Sequence, residues 1–571
     1  MSLNVPKVNV VSVRDPRLDI DFQKDYVALK GSLVNSCQQF SATNFSSSSC
    51  QITCNPPSRN IAISRLVFKR MTFTVTITGT NTSGGPLLVQ NYYAPRFMPL
   101  ASVTTAEQIT INNATITQAP MSQYAPTIWG WYQNDYHNRF GQYSLFPSML
   151  DQAQAYSDTA QTARNPLSKY SDQALDNSRG GYSGMVVTSN PNSGTTAVLT
   201  LTVTEPILLS PLVAGDMSNF TAAFCGVQNM AYNCTFGNFA RLMSIQQDQG
   251  TGAGGSINIT GVTATLTGAS LLFNYFTPDP INPIPRSMET SFFSLVSYPS
   301  QYQQGNVNPG NPCSIPMQSI QVSSIPRRMY IFSRIDDSLQ TAFTSDAYLG
   351  LPETVNPLTV TWNNNQFFAQ YTSQDLYNMS VKNGLQMSWS QFNKHTGGII
   401  CIDFGTDLGL MSDEAPGTLG NYQLGLQCQF VNRSNVAFTP TMYVVVVYEG
   451  VFNIVDGNCS QMIGVLSRED VLNARPNDNI TYANSKDVFG GNFFSKIRSA
   501  FGKVNDFVKK NQLISKGLAL IPDPRAQAVG QAAATFGYGT SGGRRAPRRR
   551  RGGDLNLSAL QQDSDNGSDQ E

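Results

Sequence analysis

The chain has 571 residues, of which 40% are hydrophobic and 13% are charged, and its formal net charge is +1. This length exceeds what one ordinary hydrophobic core supports, so we expect two globular units with extensions. So low a charged fraction argues against an ordinary solvated surface and is typical of proteins that bury much of their exterior against copies of themselves.

The nine cysteines are scattered over the whole length, which does not predict a disulfide framework, and we interpret them mostly as buried free thiols. The N-terminal stretch lacks the apolar segment of a signal peptide. No stretch offers the roughly 18 uninterrupted apolar residues of a membrane span. We therefore expect a soluble chain that is made in the cytosol.

Alternation of apolar residues with threonine over residues 71–78 predicts a strand with one buried face, because successive side chains of a strand point to opposite sides. Similar runs occur at residues 199–204, 257–260 and 358–362. Clusters of Gly, Asn, Pro and Ser separate these runs, as in an antiparallel sandwich or barrel. The predicted fold class is all-β.

Spaced prolines interrupt this pattern near the middle of the chain: Pro278, Pro280, Pro283 and Pro285. Proline cannot occupy a central strand, so we predict an extended connector and a domain boundary there. The first domain is predicted at 1–282, the second at 283–456 and a C-terminal extension at 457–571. Each domain closes on an apolar strand, at 269–276 and 442–448, that we expect to be covered on both faces.

Two segments between the strands differ from this pattern. Residues 121–190 form a long insertion rich in Tyr, Gln, Asn and Asp, and insertions of that length are usually functional or form a small structure of their own. Residues 373–382, closed by Asn383 and Gly384, predict one short helix with a polar N-cap and a glycine C-cap.

The C-terminal extension contains an amphipathic helix, predicted over about residues 493–520. Steps of three and four place its apolar residues on one stripe: Phe494, Ile497, Phe501, Val504 and Val508. Basic residues fall off this stripe. The helix is expected either to dock against the protein's own shell or to insert into a membrane surface.

Residues 537–571 have too little apolar content to fold alone, so a disordered tail is predicted. Six arginines are concentrated in it: Arg544, Arg545, Arg548, Arg549, Arg550 and Arg551. Such a cluster binds phosphate backbones strongly, so contact with nucleic acid or nuclear import are its functional interpretations. A solvated tail whose charges repel one another is the alternative.

No constellation for catalysis is evident in the sequence. Only two histidines occur, His137 and His395, and neither has recognisable partners for general-base or metal chemistry. Cys50 and Cys54 have a spacing that a zinc site could use, but no second pair of ligands occurs at a suitable distance, so buried strand thiols are the better interpretation. No catalytic, cofactor or metal site is expected, and the chain is not expected to be an enzyme.

Two further patterns suggest chemistry only superficially. Residues 537–542 match G-x-G-x-x-G but neither follow a strand nor open an apolar helix, as dinucleotide binding requires. The acidic pairs at 336–337 and 413–414 are interpreted as solvated turn residues.

Several segments resemble one group of viral coat proteins. They are residues 11–26 (VSVRDPRLDIDFQKDY), 324–334 (SIPRRMYIFSR), 398–420 (GIICIDFGTDLGLMSDEAPGTLG), 439–450 (TPTMYVVVVYEG) and 463–473 (IGVLSREDVLN). With the tandem β-domains, they resemble the double jelly-roll major capsid proteins of the adenovirus and tectivirus lineage. Within it, the chain is most similar to the capsid proteins of virophages and of Polinton-like or adintovirus-like elements.

This resemblance implies two tandem eight-stranded jelly-roll sandwiches with long inserted loops. It implies a homotrimer of pseudo-hexagonal outline that tiles the icosahedral shell of a double-stranded DNA virus or virus-like element. The implied partners are the chain itself, minor or penton capsid proteins, and viral DNA or an internal membrane at the C-terminal tail. The implied location is the virion, assembled in the host cytoplasm or nucleus.

A maturation site is the last implication of the resemblance. Residues 488–492 (VFGGN) are similar to the sites cut by adenovirus-type maturation proteases, and the segment C-terminal to them resembles the membrane-active segment of adenovirus protein VI. Gly490, Gly491 and Asn492 are therefore candidates for cleavage between Gly491 and Asn492 by a viral maturation protease. A permanent arm that pins the capsomer from inside is the alternative.

Three other functions remain open from the sequence. A cellular or secreted carbohydrate-binding or adhesive β-sandwich protein would share the strand pattern. An enzyme built on two β-domains would depend on His137 or His395. A minor or penton shell protein is the alternative among viral proteins.

Overall fold

The computed structural model describes the chain between residues 34 and 474. Within this span it leaves out residues 57–60, 66, 89–92, 97, 125–181, 213–222, 253–254, 278–286, 345–348, 354–355, 386–388, 390–391, 394–397, 434–436 and 465. All described residues belong to the first of two units into which the chain divides, Met1–Gly490. The predicted C-terminal helix and arginine-rich tail lie outside the described residues.

The first half of the described chain is built from strands. They are β1 (Val34–Ser41), β2 (Asn44–Phe45), β3 (Ser49–Cys54), β4 (Ala62–Ile63), β5 (Phe68–Asn81), β6 (Tyr93–Pro95), β7 (Thr104–Ile111), β8 (Ala114–Gln118), β9 (Tyr182–Ser189), β10 (Thr196–Pro206), β11 (Met230–Phe236), β12 (Met243–Ile245), β13 (Asp248–Gly252) and β14 (Gly255–Thr277). Helix α1 (Pro99–Val103) and a 3-10 turn (Phe239–Leu242) interrupt them.

The second half has the same plan. Its strands are β15 (Ser287–Gln301), β16 (Pro312–Ser324), β17 (Arg328–Ile335), β18 (Leu358–Trp362), β19 (Asn365–Phe367), β20 (Ile400–Asp403), β21 (Leu419–Val431), β22 (Pro440–Val455) and β23 (Asn458–Ile463). Its helices are α2 (Ser373–Lys382), α3 (Phe404–Asp407) and α4 (Arg468–Leu472), with a 3-10 turn at Asp337–Leu339.

Both halves are antiparallel sandwiches, and equivalent strands follow the same order in each half. The large sheet of the first sandwich runs β1-β14-β5-β10-β9, and its small sheet runs β2-β3-β11-β7-β8. The large sheet of the second runs β15-β22-β17-β20, and its small sheet runs β16-β21-β18-β19. Within the described chain, each strand β15 to β22 thus has a counterpart in the first sandwich, so the predicted pair of eight-stranded jelly rolls is confirmed.

The alternating run at residues 71–78 lies in β5, as predicted. Met71, Phe73, Val75 and Ile77 are fully buried between the two sheets, whereas the intervening threonines point away from the core. The runs at 199–204, 257–260 and 358–362 lie in β10, β14 and β18, which confirms those predictions too. The alternation of apolar and polar residues predicts these strands correctly because each strand has one face in a core.

The predicted helix is confirmed as α2, with the predicted bounds. Thr372 and Asp375 form a reciprocal capping box at its start, since the Thr372 hydroxyl accepts from the Asp375 amide and the Asp375 carboxylate accepts from the Thr372 amide. Gly384 lies just beyond the helix at φ +112°, a backbone conformation that other residues rarely adopt.

The two closing strands differ from each other. In β22, Val444, Val445, Val446 and Val447 are all fully buried, so coverage of both faces is confirmed there. In β14, Asn274 is exposed and Leu272 is partly exposed, so the same prediction is wrong for the first half. The reason is that the first sandwich covers the outer face of the second large sheet, whereas the outer face of the first large sheet has exposed and partly exposed side chains. No helix among the described residues is long and apolar enough to span a bilayer.

Candidate functional site: the interface between the sandwiches

The two sandwiches meet through buried polar side chains, several of them arginines. Arg96, which directly succeeds β6, is 1% exposed and donates to the carbonyl oxygen of Met243 in its own sandwich at 3.1 Å. Its Nη2 donates to the carbonyl oxygens of Thr341 and Thr344 in the second sandwich. A guanidinium group suits this position because its planar donors can bind several acceptors at once.

Asp337 is the acidic centre of this interface. The Arg334 guanidinium lies 2.7 Å from its Oδ1, and the Arg241 guanidinium of the first sandwich lies 3.7 Å from the same oxygen. The Ser122 hydroxyl and the Gln123 amide, also of the first sandwich, donate to its Oδ2 at 2.9 and 3.1 Å. Residues from both sandwiches therefore converge on one carboxylate, and charge-assisted hydrogen bonds of this kind are among the stronger ones in proteins.

An asparagine turn forms the other end of the interface. Asn112 and Asn113 connect β7 to β8, and the Asn113 side chain accepts from the Cys459 amide at 2.6 Å and donates to the Cys459 carbonyl at 3.2 Å. Asn113 thus pairs with the backbone of β23 as a neighbouring strand would. Further along β8, the Gln118 amide donates to the Leu295 carbonyl of β15 at 3.3 Å.

Two ionisable groups beside this interface have shifted pKa values. Burial raises the pKa of Asp336, but hydrogen bonds from Ser338, Thr441 and Tyr443 outweigh that effect and hold the pKa below its ordinary value. Burial likewise raises the pKa of Tyr443, whose ring centroid lies 5.4 Å from the Arg334 guanidinium. Both groups therefore keep one protonation state near neutral pH, which suits a permanent contact better than a proton-transfer site.

A second buried polar cluster joins the two sheets of the first sandwich. Lys69 on β5 and Glu107 on β7 form an ion pair at 2.9 Å, with side-chain exposures of 2% and 0%. The Tyr232 hydroxyl donates to the same Glu107 oxygen at 2.6 Å. Burial alone would lower the pKa of Lys69, but the charge of Glu107 raises it above its ordinary value, so the lysine remains charged.

Glu205 lies beside this ion pair at the start of α1. Its two carboxylate oxygens accept from the backbone amides of Leu100 and Ala101 at 2.8 and 3.0 Å. Burial raises the pKa of Glu205 to about 7, although Lys69 and the two amides oppose that rise. The carboxyl group is enclosed in the core, so we interpret it as a structural cap and not as a catalytic acid.

The structure places no reactive centre among the described residues. No group of three or more His, Cys, Asp or Glu side chains there is arranged to hold a metal ion. Cys50 and Cys54 are buried, and burial raises the pKa of each thiol to about 12, which confirms the interpretation as buried strand thiols. All nine cysteines are free, seven of them buried, Cys37 exposed and Cys225 intermediate. His137 and His395 lie outside the described residues.

The predicted site residues also lie outside the described part of the chain. This holds for the candidate cleavage residues Gly490, Gly491 and Asn492, for the apolar stripe Phe494, Ile497, Phe501, Val504 and Val508, and for the arginines Arg544, Arg545, Arg548, Arg549, Arg550 and Arg551. Their roles remain predictions.

The residues that join the sandwiches are not evident from the sequence alone. The interpretation of the acidic pairs as solvated turn residues is wrong for two members, because Asp337 is bound across the interface and Glu414 is mostly buried and lies 2.9 Å from Arg468. One usable signal is Arg334, which lies two residues after the apolar run 329–332 in the same strand. An arginine in a buried strand needs an acidic partner.

Comparison with known proteins agrees with this architecture. The family profile "Sputnik virophage major capsid protein 1st domain" matches residues 7–276, and "Major capsid protein V20 C-terminal domain" matches residues 295–396 and 393–450. Putative capsid protein V20 of Sputnik virophage is 31% identical over 586 aligned residues, which cover 95% of each chain.

Solved structures give the same result. A chain in the cryo-EM structure of the Sputnik virophage is 28% identical with a TM-score of 0.73, covering 86% of this chain and 100% of its own. The mavirus major capsid protein, at 14% identity, shares the fold with a TM-score of 0.61, covering 83% of this chain and 99% of its own. The resemblance to virophage capsid proteins is confirmed, and the chain belongs to the family of virophage major capsid proteins.

Proposed function

We propose that three copies of this chain form a capsomer of pseudo-hexagonal outline, and that such capsomers tile the icosahedral shell of a virophage or related double-stranded DNA element. The observation that carries this proposal is the strand order shared by the two sandwiches. Three copies contribute six similar sandwiches, and a closed ring of six satisfies the cyclic symmetry usual for homo-oligomers.

The interface at Asp337 supports this proposal from within one chain. A pseudo-sixfold ring needs a constant angle between the first and second sandwich. Arg96, Arg334 and Asp337 join them through buried, directional contacts, which hold one orientation better than apolar packing alone. We propose a structural role only, without enzymatic activity.

Electron microscopy and mass measurement of the purified full-length protein test this function. Six-lobed particles with three times the chain mass of 62.3 kDa are expected. A protein that stays monomeric at all concentrations used for assembly would refute the proposal. A monomer that binds glycans would instead support the carbohydrate-binding alternative.

We further propose that the C-terminal extension faces the interior of the shell. Cleavage between Gly491 and Asn492 by a viral maturation protease would release the segment with the stripe Phe494 to Val508 toward an internal membrane, and the cluster Arg544 to Arg551 toward viral DNA. Mass spectrometry of purified particles should then find a chain that ends at Gly491. Intact chain throughout would favour the permanent arm, which would contact neighbouring capsomers or minor and penton proteins.

A further inference from the structure

The outward face of the first large sheet carries adjoining rows of threonine. Thr74 on β5 lies opposite Thr200 on β10 and Thr265 on β14, and Thr200 lies opposite Val186 on β9. We define the threonine face by these rows and their neighbours: Thr72, Thr74, Thr76, Thr200, Thr202, Thr263 and Thr265. None of these positions is charged.

Such a face is unusual for a surface that stays in water. Solvated surfaces usually carry a quarter or more of charged side chains, whereas the centres of protein interfaces are depleted of them. Val186, at the edge of the face, is 62% exposed. The nearest charged side chain on β5 is Arg70, which lies at the end of the face and donates to Thr204.

The equivalent sheet of the second sandwich is already covered. Tyr443 on β22 and Phe332 on β17 are fully buried on the face where Arg334 reaches the carbonyl oxygen of Ser122 at 3.1 Å. The first sandwich makes this contact, and its β7–β8 hairpin bonds to the same sheet through Gln118 to Leu295 on β15 and Asn113 to Cys459 on β23. The second large sheet is therefore covered by the first sandwich, whereas the described residues of the first sheet's outer face are exposed or partly exposed.

The counterpart of that hairpin is β18–β19, and its turn is Asn363–Asn364. Asn112 donates its backbone N–H to the Asn229 carbonyl, and its side chain accepts from the Asn229 amide. Asn363 does the same with Gln423, since its N–H donates to the Gln423 carbonyl and its side chain accepts from the Gln423 amide at 2.9 Å. Both turns use left-handed backbone, at φ 52° for Asn112 and 46° for Asn363.

The second asparagine of each turn differs in its partners. Asn113 binds the backbone of Cys459 in the other sandwich. Asn364 is exposed and has no hydrogen-bond partner among the described residues. Its hairpin is as uncharged as the threonine face, with Thr361 lying opposite Gln366. The amide of Asn364 thus lacks the contact that its counterpart makes.

We propose that the β18–β19 hairpin of a sister chain docks on the first large sheet, against the threonine face, with Asn364 bonded to the sister chain's backbone. This inference rests on the proposed trimer. In a ring of alternating first and second sandwiches, we expect the junction between two chains to resemble the junction within one chain. The β18–β19 hairpin of one chain then lies against the first large sheet of the next chain.

Native mass spectrometry of the full-length chain over a dilution series tests the inference. Asn364→Gly removes the amide without straining the left-handed backbone, and Thr74→Lys places a charge on the threonine face. Each variant should need at least about tenfold higher concentration to form the trimer than the unmodified protein, because each removes or opposes one contact at every junction.

Matched controls are available at exposed positions elsewhere. Asn356→Gly changes another left-handed asparagine, at φ 67°, and Thr53→Lys adds the same charge on the small sheet of the first sandwich. Both controls should form trimers as the unmodified protein does, and circular dichroism should show all four variants folded. If Asn364→Gly and Thr74→Lys also form trimers normally, the docking surface is wrong although the trimer stands. If the unmodified protein forms no trimer, the proposed function itself fails.

Discussion

The two large sheets share a strand order but not a sequence pattern. In the first, β5 alternates buried apolar residues with threonine, whereas β22 in the second has four consecutive buried valines. The difference reflects position in the chain, because the first sandwich covers the outer face of the second large sheet. A strand's pattern therefore reports how many of its faces are covered and not which fold it belongs to.

The sandwiches also differ in how their sheets are joined inside. The first uses the ion pair Lys69–Glu107, whereas in the second Trp362 on β18 packs edge-to-face against Phe404, which directly follows β20, with ring centroids 5.0 Å apart. Aromatic packing tolerates small shifts, but a buried charge needs its partner. The first sandwich is therefore expected to be the more sensitive of the two to a single substitution and to pH.

The largest effect is expected from Lys69→Met. Removing the lysine leaves the Glu107 carboxylate buried without its counter-charge, which should lower the free energy of unfolding by about 3–5 kcal/mol. Denaturant titration of the purified protein measures this. Lys382→Met is the control, because Lys382 is half-exposed and its buried partner Asp407 keeps hydrogen bonds from the Asn383 side chain and the Asp403 amide, so this variant should lose only about 1 kcal/mol. Equal losses in both variants would contradict the ion-pair argument.

A pH dependence is expected from Glu205. Its pKa is raised from 4.5 in the unfolded chain to about 7 in the fold, so the folded state binds the extra proton. Its contribution to stability is complete below pH 4.5 and is lost as the pH rises through about 7, a change of roughly 3 kcal/mol. Denaturant midpoints of the protein and of Glu205→Gln, compared at about pH 5 and about pH 7.5, measure this. If the denaturant midpoints of both proteins change equally between the two pH values, a group other than Glu205 causes the pH dependence.

A smaller effect is expected at the interface between the sandwiches. Asp337→Asn keeps the shape of the side chain but removes the charge that pairs with Arg334 and Arg241, so stability should fall by about 2 kcal/mol. Limited proteolysis should also cut more readily between the sandwiches. Asp413→Asn, in an exposed pair with Arg468, should leave both measurements unchanged. No change in the Asp337 variant would show that apolar packing fixes the orientation.

The smallest effect is expected when one valine in each large sheet is replaced by threonine. Val446→Thr buries a hydroxyl in the doubly covered β22 and should cost about 1–2 kcal/mol. Val198→Thr changes a partly exposed residue on the outward side of β10 and should stay within about 0.5 kcal/mol. Thermal unfolding distinguishes the two. Equal effects would mean that the sheets are equally covered in the isolated chain.

Local signals in the sequence are enough to predict the strands and one helix. The 71–78 run and the Thr372 to Gly384 segment carry their own periodicity and caps, which do not depend on distant residues. The open outer face of β14 could not be predicted, because the residues around Leu272 and Asn274 have an apolar composition close to that of β22. The interface is hidden for a similar reason: Asp337 and Ser122 are 215 residues apart, and no local pattern links them.

The burial of most thiols has a chemical consequence for the folded subunit. Oxidation and disulfide exchange proceed through the thiolate, and burial keeps thiols such as Cys50, Cys234 and Cys428 protonated and shielded from solvent. A change from reducing to oxidising conditions should therefore leave these sulfur atoms unchanged. The exposed Cys37 is the exception, so oxidation of the folded subunit should begin there and not in its core.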